Sequence, residues 1–592
     1  MRTTGFVMRR TLLLGIAALA AAKSASHSSK GASASPDSTS DDKCCWCDPD
    51  TPPSAMTAIG SDSQVYQLVF SDEFNDPNRD FANGKDKKWT ALDVGDTSNH
   101  GAAFFRPEQA VVMKDHNFSK ISALRIRTEN KSHTGISPEG EPIHMPYSSA
   151  MLQSWNKFCF TGGILEFRAR LPRGAGYWPA LWAFGNLGRA VYQNSNTGLW
   201  PWSYDECDAD LVLPPTDPPQ RISACMDFDL EKDGLHAFQG RGATELDVLE
   251  GAVTNSGLDS YAVGSLQLSP GIPPYFRPPM FGFPTAEGPG SWYAGLKLGE
   301  KGKLNNGWYG PPYGSECLTG CPDALSGGLT ELSDLDTRYW TFRMEWTLGP
   351  DGGLTWKYDD ALVWSMPASS FGEYSVCSHK PGEKDNCWRT PPRKMPQEPM
   401  SLVMNTAIGT WNGGVSAVDG QHWPADFYVD YVRVWQSEVN IGCDPPDYPT
   451  AAYIDKHSFL YGEPVAPLGK DTCPEIYPPS AYANAEFIKG RALERRAAAA
   501  AAKAKAAEAA KSKEADDAAS GAGPAAFLKT STHASATEPA YTAGSLVAVG
   551  AAGATVVIAA AFAIIKATQG RRTWRNLPHE AESMAGEYQL AQ

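Results

Sequence analysis

Glu245, Asp247 and Glu250 stand close together in Gly242-Ala-Thr-Glu245-Leu-Asp247-Val-Leu-Glu250-Gly251. Side chains alternate along an extended strand, so Glu245 and Asp247 share one face while Leu246 and Val248 take the other. Glu250 falls on the wrong face of a regular strand. One extra residue, a β-bulge near Val248 and Leu249, returns it to the acidic face. The spacing therefore predicts three carboxyls in one row. Such a row suits the cleavage of a glycosidic bond, in which retaining enzymes use two carboxyls roughly 5–5.5 Å apart. In that scheme Glu245 is the nucleophile and Glu250 the acid/base. Asp247 hydrogen-bonds the nucleophile and tunes the protonation of the pair. An acidic strand facing solvent, or one binding calcium, is the competing use of the same residues.

Aromatic residues precede the row in Tyr177-Trp178-Pro-Ala-Leu-Trp182, where Trp178 and Trp182 lie four apart and face the same side of a strand. Indole rings stack on the apolar faces of sugars, and they also pack cores. The elements that must carry these groups are short apolar or alternating runs at 65–70, 124–128, 163–170, 339–346, 354–358, 401–408 and 427–435, separated by Gly and Pro turns. Many short strands without long helical periodicity predict an all-β sandwich.

The 592-residue chain carries a formal net charge of −15, which argues against a nucleic-acid partner. Its two ends predict a compartment. Residues 1–25 combine Arg2, Arg9 and Arg10 with a short apolar run and small residues, the layout of a secretory signal. Residues 543–565 contain no charge, and a bilayer span needs about 20 residues. Lys566, Arg571, Arg572 and Arg575 follow, so the tail 566–592 is expected in the cytosol. This describes a single-pass type I membrane protein of the secretory pathway or cell surface, its main domain lumenal or extracellular. The twelve cysteines suit an oxidising compartment. Cys317-Leu-Thr-Gly-Cys321 has no second Cys or His pair at zinc spacing. Asn117-Phe-Ser and Asn130-Lys-Ser are glycosylation sequons. Between the ends, 26–64 reads as a flexible leader, 65–440 as the catalytic domain, 441–485 as a Pro- and Cys-containing extension, and 486–542 as an Ala-rich helical stalk with a polar spacer.

The chain resembles glycoside hydrolase family 16. The Glu-x-Asp-x-x-Glu signature resembles its bulged branch. Leu68-Val-Phe-Ser-Asp-Glu73-Phe resembles the family's opening strand. Gly163-Ile-Leu-Glu-Phe-Arg168 and Trp178-Pro-Ala-Leu-Trp182 resemble its cleft strands, and Val403-Met-Asn405-Thr-Ala-Ile-Gly409 and Phe427-Tyr-Val-Asp430-Tyr-Val-Arg433-Val-Trp435 its closing strands. Within that family, four segments are similar to the fungal β-1,6-glucan synthesis-associated proteins: Phe184-Gly-Asn186-Leu-Gly-Arg189, Gly198-Leu-Trp200-Pro-Trp202-Ser-Tyr204, Gly240-Arg241-Gly-Ala-Thr-Glu245 and Ser265-Leu-Gln267-Leu-Ser-Pro270. The resemblance implies a jelly-roll β-sandwich. It implies substrate-binding roles for Trp178, Trp182, Asn186, Arg189, Trp200, Trp202 and Gln267, with Gln267 standing where many laminarin-cleaving relatives place a His. It requires no cofactor, although a structural calcium is compatible with such sandwiches; no metal ligands are marked. The expected partners are a β-glucan and, through 543–565, the bilayer. The chain departs from the fungal proteins in placing its span after the domain.

The leading expectation is a retaining transglycosylase in β-1,3/β-1,6-glucan assembly. An endo-β-1,3-glucanase uses the same residues. A non-catalytic glucan-binding scaffold needs only the tryptophans. The sequence carries no glycine-rich nucleotide loop, which weakens a sugar-nucleotide-dependent reading.

Overall fold

A computed structural model describes residues 44–207, 219–226, 228–257, 260–269, 295–304, 324–325, 328–372, 374–378, 386–390, 393–462 and 473–480, apart from 419 and 422, together with scattered positions from 482 to 512. The secretory signal, the membrane span, the tail and Cys317 and Cys321 lie outside these residues, as does nearly all of the stalk. Among the described residues no helix is long and apolar enough to cross a membrane.

Two antiparallel sheets of ten strands each pack face to face, as the alternating runs predict. The first sheet runs from Thr57–Ile59 through Val65–Asp72, Ala425–Gln436, Gly163–Arg170, Trp340–Thr347, Gly353–Tyr358 and Ala361–Pro367 to Lys297–Leu298. The second contains, side by side, Tyr261–Gln267, Glu245–Ala252, Trp178–Gly185 and Met400–Ala407. The central strands each turn one face to the opposite sheet. Phe167, Phe342, Met344, Val432 and Val434 from the first sheet meet Leu181, Leu246, Val248, Leu249, Leu266, Leu402 and Met404 from the second in one apolar core.

Alternation fails at one place. Val248 and Leu249 are both fully buried, and the pairing with Tyr261–Gln267 slips between Asp247, opposite Ser265, and Glu250, opposite Val263. The partner Trp178–Gly185 records the same slip, with Leu181 opposite Leu249 and Trp182 opposite Asp247. A bulge takes carbonyls out of the ladder, and buried carbonyls need donors. The other sheet supplies them: Trp356 Nε1 donates to the Asp247 carbonyl at 2.8 Å and the Tyr358 hydroxyl to the Val248 carbonyl at 3.0 Å. Gly264 stands opposite the bulge, where a Cβ would come within 2.4 Å of Trp356 Cδ1.

Two segments are more closely bound to the sandwich than composition suggests. Residues 44–59, read above as part of a flexible leader, are ordered. Thr57–Ile59 pairs with Val65–Asp72, Cys44 bonds Cys47, and Cys45 bonds Cys473 across 428 residues. The extension is likewise fastened, by Cys159–Cys443 and by the buried side chains of Tyr453, Ile454 and Tyr461. Its composition resembles a loop because turns and cysteines dominate it. Among its described apolar residues Tyr453, Ile454 and Tyr461 find the domain, while Phe459 and Ile476 stay exposed.

The Gly264→Ala variant is expected to displace Trp356 and lose about 1–3 kcal/mol of stability, the usual range for overpacking. Its denaturant midpoint and unfolding slope measure this.

Candidate active site

The bulge places Glu245, Asp247 and Glu250 on the outward face of Glu245–Ala252, with Leu246, Val248 and Leu249 inward. Glu245 and Glu250 stay partly exposed, while Asp247 between them is 2% exposed. On the neighbouring strand Trp178 and Trp182 are the two partly exposed positions, as their spacing predicts.

Neutral donors bracket the row. Trp200 Nε1 donates to Glu245 Oε2 at 2.7 Å, and Trp178 Nε1 donates to Glu250 Oε1 at 3.0 Å. Between them the Ser265 hydroxyl donates to Asp247 Oδ2 at 2.5 Å and lies 3.5 Å from Glu250 Oε2. Gln267 Nε2 reaches Asp247 Oδ2 at 3.3 Å, and its own buried Oε1 has no partner among the described residues. Glu245 and Asp247 also share a hydrogen bond. No cation among the described residues stabilises the row.

Burial without a counter-charge dominates the electrostatics. Desolvation pushes the Glu245 carboxyl well up, and the charges of Asp247 and Glu250 add to the effect. Glu250 is raised by desolvation and then by Asp247. Asp247 is pushed up to about 6 by desolvation, with hydrogen bonds from Ser265 and Gln267 opposing. The three cannot all ionise near neutrality, so at least one proton is held within the row. A row that holds both a carboxylate and a carboxylic acid can attack carbon and protonate a leaving oxygen.

Not every residue expected in the cleft lies there. Trp178, Trp182, Trp200 and Gln267 surround the row. Asn186, Arg189 and Trp202 do not, and are corrected to structural roles. Asn186 is fully buried, its side-chain oxygen accepting from the Asn156 amide at 3.1 Å and its amide donating to Thr450 Oγ1 at 3.0 Å. Arg189 is 3% exposed and donates to the carbonyls of Tyr461 and Gly462 in the extension. Trp202 is fully buried against Tyr204. Asn117 and Asn130 are both exposed, away from any core.

Sequence reasoning missed four neighbours of the site. Ser265 lies two residues before Gln267 and so on the same strand face, a signal the sequence does contain. Asn405 accepts from Trp182 Nε1 at 2.8 Å. Trp411, in the turn after Met400–Ala407, stacks on Trp178 with ring centroids 5.4 Å apart. Tyr261 tilts against Trp411 at 5.8 Å. No periodicity marks a loop tryptophan such as Trp411.

The segment before Glu245 is locked in place. Arg241 pairs with Glu398 through two bonds of 2.7 Å, both side chains nearly or fully buried, and donates to the Pro449 carbonyl at 2.9 Å. A Cβ on Gly242 would lie 1.8 Å from the Trp202 carbonyl oxygen, so this close approach requires glycine. Residues 186–241 form a long insertion between the adjacent strands Trp178–Gly185 and Glu245–Ala252, and Cys207 and Cys225 form a disulfide inside it.

Comparison with known proteins places the chain in a family. The model of the β-glucan synthesis-associated protein family SKN1/KRE6/Sbg1 matches residues 13–467. The chain belongs to that family. It is 32% identical over 434 residues to the β-glucan synthesis-associated protein KRE6 of Saccharomyces cerevisiae, covering 69% of this chain and 52% of that protein. It is 34% identical over 442 residues to the Candida albicans protein of the same description, covering 70% and 52%. It thus spans about half the length of these curated relatives. The laminarinase catalytic domain of Thermotoga maritima aligns over 63% of this chain and 98% of its own at 18% identity, with a TM-score of 0.34, an overlap too low to argue from.

A raised carboxyl holds its proton more tightly in the folded than in the unfolded chain. Its stabilising contribution is complete below the unfolded value of 4.5 for Glu and is lost as pH rises through the folded value. The Glu250→Gln variant of this family member is therefore expected to melt at a higher temperature than wild type near pH 8. The gap should close towards pH 4. Calorimetric Tm values across that range check it.

Proposed function

We propose that the chain is a retaining β-glucan-active enzyme that transfers glucan segments in β-1,3/β-1,6-glucan synthesis or remodelling. The observation that carries this reading is the carboxyl row itself, assembled by a bulge and bracketed by two indole N–H donors. A scaffold that only binds polymer has no use for three clustered acids that no cation among the described residues compensates. Family membership supports β-glucan as the polymer.

In this scheme the Glu245 carboxylate attacks the anomeric carbon of a donor glucan. The bond from that carbon to the leaving oxygen breaks as Glu250 gives that oxygen its proton. The glucosyl unit is left as an ester on Glu245. An acceptor hydroxyl then loses its proton to Glu250 and attacks the same carbon, which releases Glu245 as a carboxylate and restores the acid on Glu250. Asp247 hydrogen-bonds Glu245 and, through its own charge, keeps Glu250 protonated at a higher pH. Trp178 and Trp411 offer a stacked aromatic surface beside Glu250 for sugar faces. The unpartnered Gln267 Oε1 can accept from a sugar hydroxyl. The type I membrane topology and the glycosylation of Asn117 and Asn130 belong to the same proposal, since membrane tethering suits a biosynthetic step along the secretory route or at the surface.

Incubation with a β-1,3-gluco-oligosaccharide donor and a labelled acceptor tests the scheme. Longer labelled products are expected, read by mass spectrometry and linkage analysis. Glu250→Gln should lower turnover about 10²–10⁴-fold, the usual contribution of a general acid, and Glu245→Gln should leave no covalent intermediate. Shortened products alone make it a hydrolase. Full activity in both variants removes the assignment.

Asp247→Asn gives an independent prediction. Removing that negative charge relieves the upward push on Glu250, so its proton is lost at lower pH. The alkaline limb of kcat/KM, which follows protonated Glu250, is expected to move towards acid. A limb that stays in place removes Asp247 from the scheme.

A further inference from the structure

Trp200, which donates to Glu245, does not belong to the two central sheets. It is carried by the insertion 186–241, and its placement can be followed outward one bond at a time. The Trp200 backbone N–H donates to the Asn196 carbonyl at 2.8 Å. The Asn196 side chain clasps the Arg189 backbone from both sides: its Oδ1 accepts from the Arg189 N–H at 3.1 Å, and its Nδ2 donates to the Arg189 carbonyl at 3.1 Å. The Arg189 guanidinium donates to the carbonyls of Tyr461, at 2.5 Å, and Gly462, at 3.2 Å, in the extension. It lies over the rings of Trp155 and Tyr192 at 4.7 and 4.3 Å. The extension is itself held from the other end. Tyr461 stacks on Trp155 and donates its hydroxyl to the Leu187 carbonyl at 2.7 Å, and Cys443 is bonded to Cys159. The extension thus grips the insertion at Leu187 and Arg189, just ahead of the segment that leads to Trp200. Further along, Asp233 of the insertion pairs with Lys456, and the Gln239 amide donates to the Asp447 carbonyl.

We propose that the extension 443–462 is a working part of the active site, fixing the Glu245 carboxyl in place through the positioning residues Arg189, Asn196 and Trp200. The proposal rests on the reading of Glu245 as the attacking group, and it assigns to the extension a role that neither a linker nor a stalk performs. The physical need is visible in the row. Glu245 is faced by Asp247 and Glu250 on its own strand and, across the pair with Tyr261–Gln267, by the neutral Gln267. No cation among the described residues faces it, and the indole N–H of Trp200 is the donor that favours its ionised form from outside that strand. A donor on an insertion stays aligned only if the insertion is held, because hydrogen bonds weaken steeply as their angle closes.

The test uses the full chain and reads Glu245 directly. Carbodiimide couples to protonated carboxyls, so its labelling of Glu245 against pH, located by peptide fragmentation, titrates this residue whether or not the protein turns over glucan. Trp200→Phe keeps a ring and removes the donor. It is expected to move the Glu245 titration up by about one to two pH units, the worth of a hydrogen bond to a charged group, and to lower kcat on the acid side about tenfold or more with KM little changed. Arg189→Met should move the titration in the same direction by less. Asn196→Ala, at a half-exposed position, should do the same and replaces Arg189→Met if that variant does not fold. In the Trp200→Phe background, neither should add a further shift, because the bond through which they act is gone. Equal shifts with and without Trp200, or no shift in the single variants, overturn the proposal. Wild-type protein that titrates as expected but never cleaves or transfers glucan overturns the functional reading and leaves the coupling standing.

Discussion

One extra residue in one strand governs the site. Without the bulge at Val248 and Leu249, the two-residue alternation would send Glu250 towards Leu246, Val248 and the rest of the apolar core, where an unpaired carboxyl is costly to ionise. With it, three carboxyls face outward and two consecutive apolar side chains face in. The bulge has requirements of its own. Its carbonyls leave the ladder, and only a donor from the opposite sheet can reach them. Trp356 and Tyr358 meet that need, and the bare α-carbon of Gly264 gives Trp356 its path. The carboxyl row and the core of the sandwich are therefore one construction, since the side chains that fill the interior also hold the backbone that aims the acids outward.

The charge pattern separates this row from the buried acids Asp72 and Asp115. Asp72 is met by Arg79 and by the Trp89 indole, and Asp115 by Arg170 and the Tyr339 hydroxyl. Those acids are compensated and serve the fold. Glu245, Asp247 and Glu250 receive only neutral donors. A cation beside them would lock the carboxyls in the ionised form and abolish the acid that the proposed chemistry requires. The absence of compensation raises the cost of ionising the row, and it also keeps a proton available there.

The strands were legible because those at the centre turn apolar residues to a shared core, and the expected runs 163–170 and 354–358 match the observed Gly163–Arg170 and Gly353–Tyr358 to within a residue. The bulge was legible for a different reason: the spacing of the three acids yields a row only if a residue is inserted. Asn186, Arg189 and Trp202 were misplaced because a polar or aromatic side chain in a motif looks the same whether it meets a ligand or closes a buried network. Asn186 gave no sign of its bond to Thr450, which is distant in sequence and close only in the fold. The same holds for Cys45 and Cys473, whose 428-residue separation no local pattern encodes. Residues 44–59 and 443–462 read as loop because they make few regular hydrogen bonds, and their order comes from tertiary contacts.

Those tertiary contacts also explain why the perimeter is so strongly fastened. The row weakens the fold wherever its acids ionise, since each carboxyl is easier to charge in the unfolded chain. Stability has to be supplied where it does not disturb the protons. Three of the described disulfides, Cys45–Cys473, Cys159–Cys443 and Cys207–Cys225, and the buried pair Arg241–Glu398, all lie in or beside the insertion, the leader and the extension, and none touches the row. Each of the first two ties together segments far apart in the chain, the arrangement that restricts an unfolded chain most. Arg241 goes further, because it stands four residues before Glu245 and anchors the start of the acidic strand to Glu398, just ahead of Met400–Ala407, and to the Pro449 carbonyl. The strand that carries the costly charges is thus pinned at its entry by a compensated ion pair and beneath its bulge by two neutral donors. Its middle is left free to hold or release a proton.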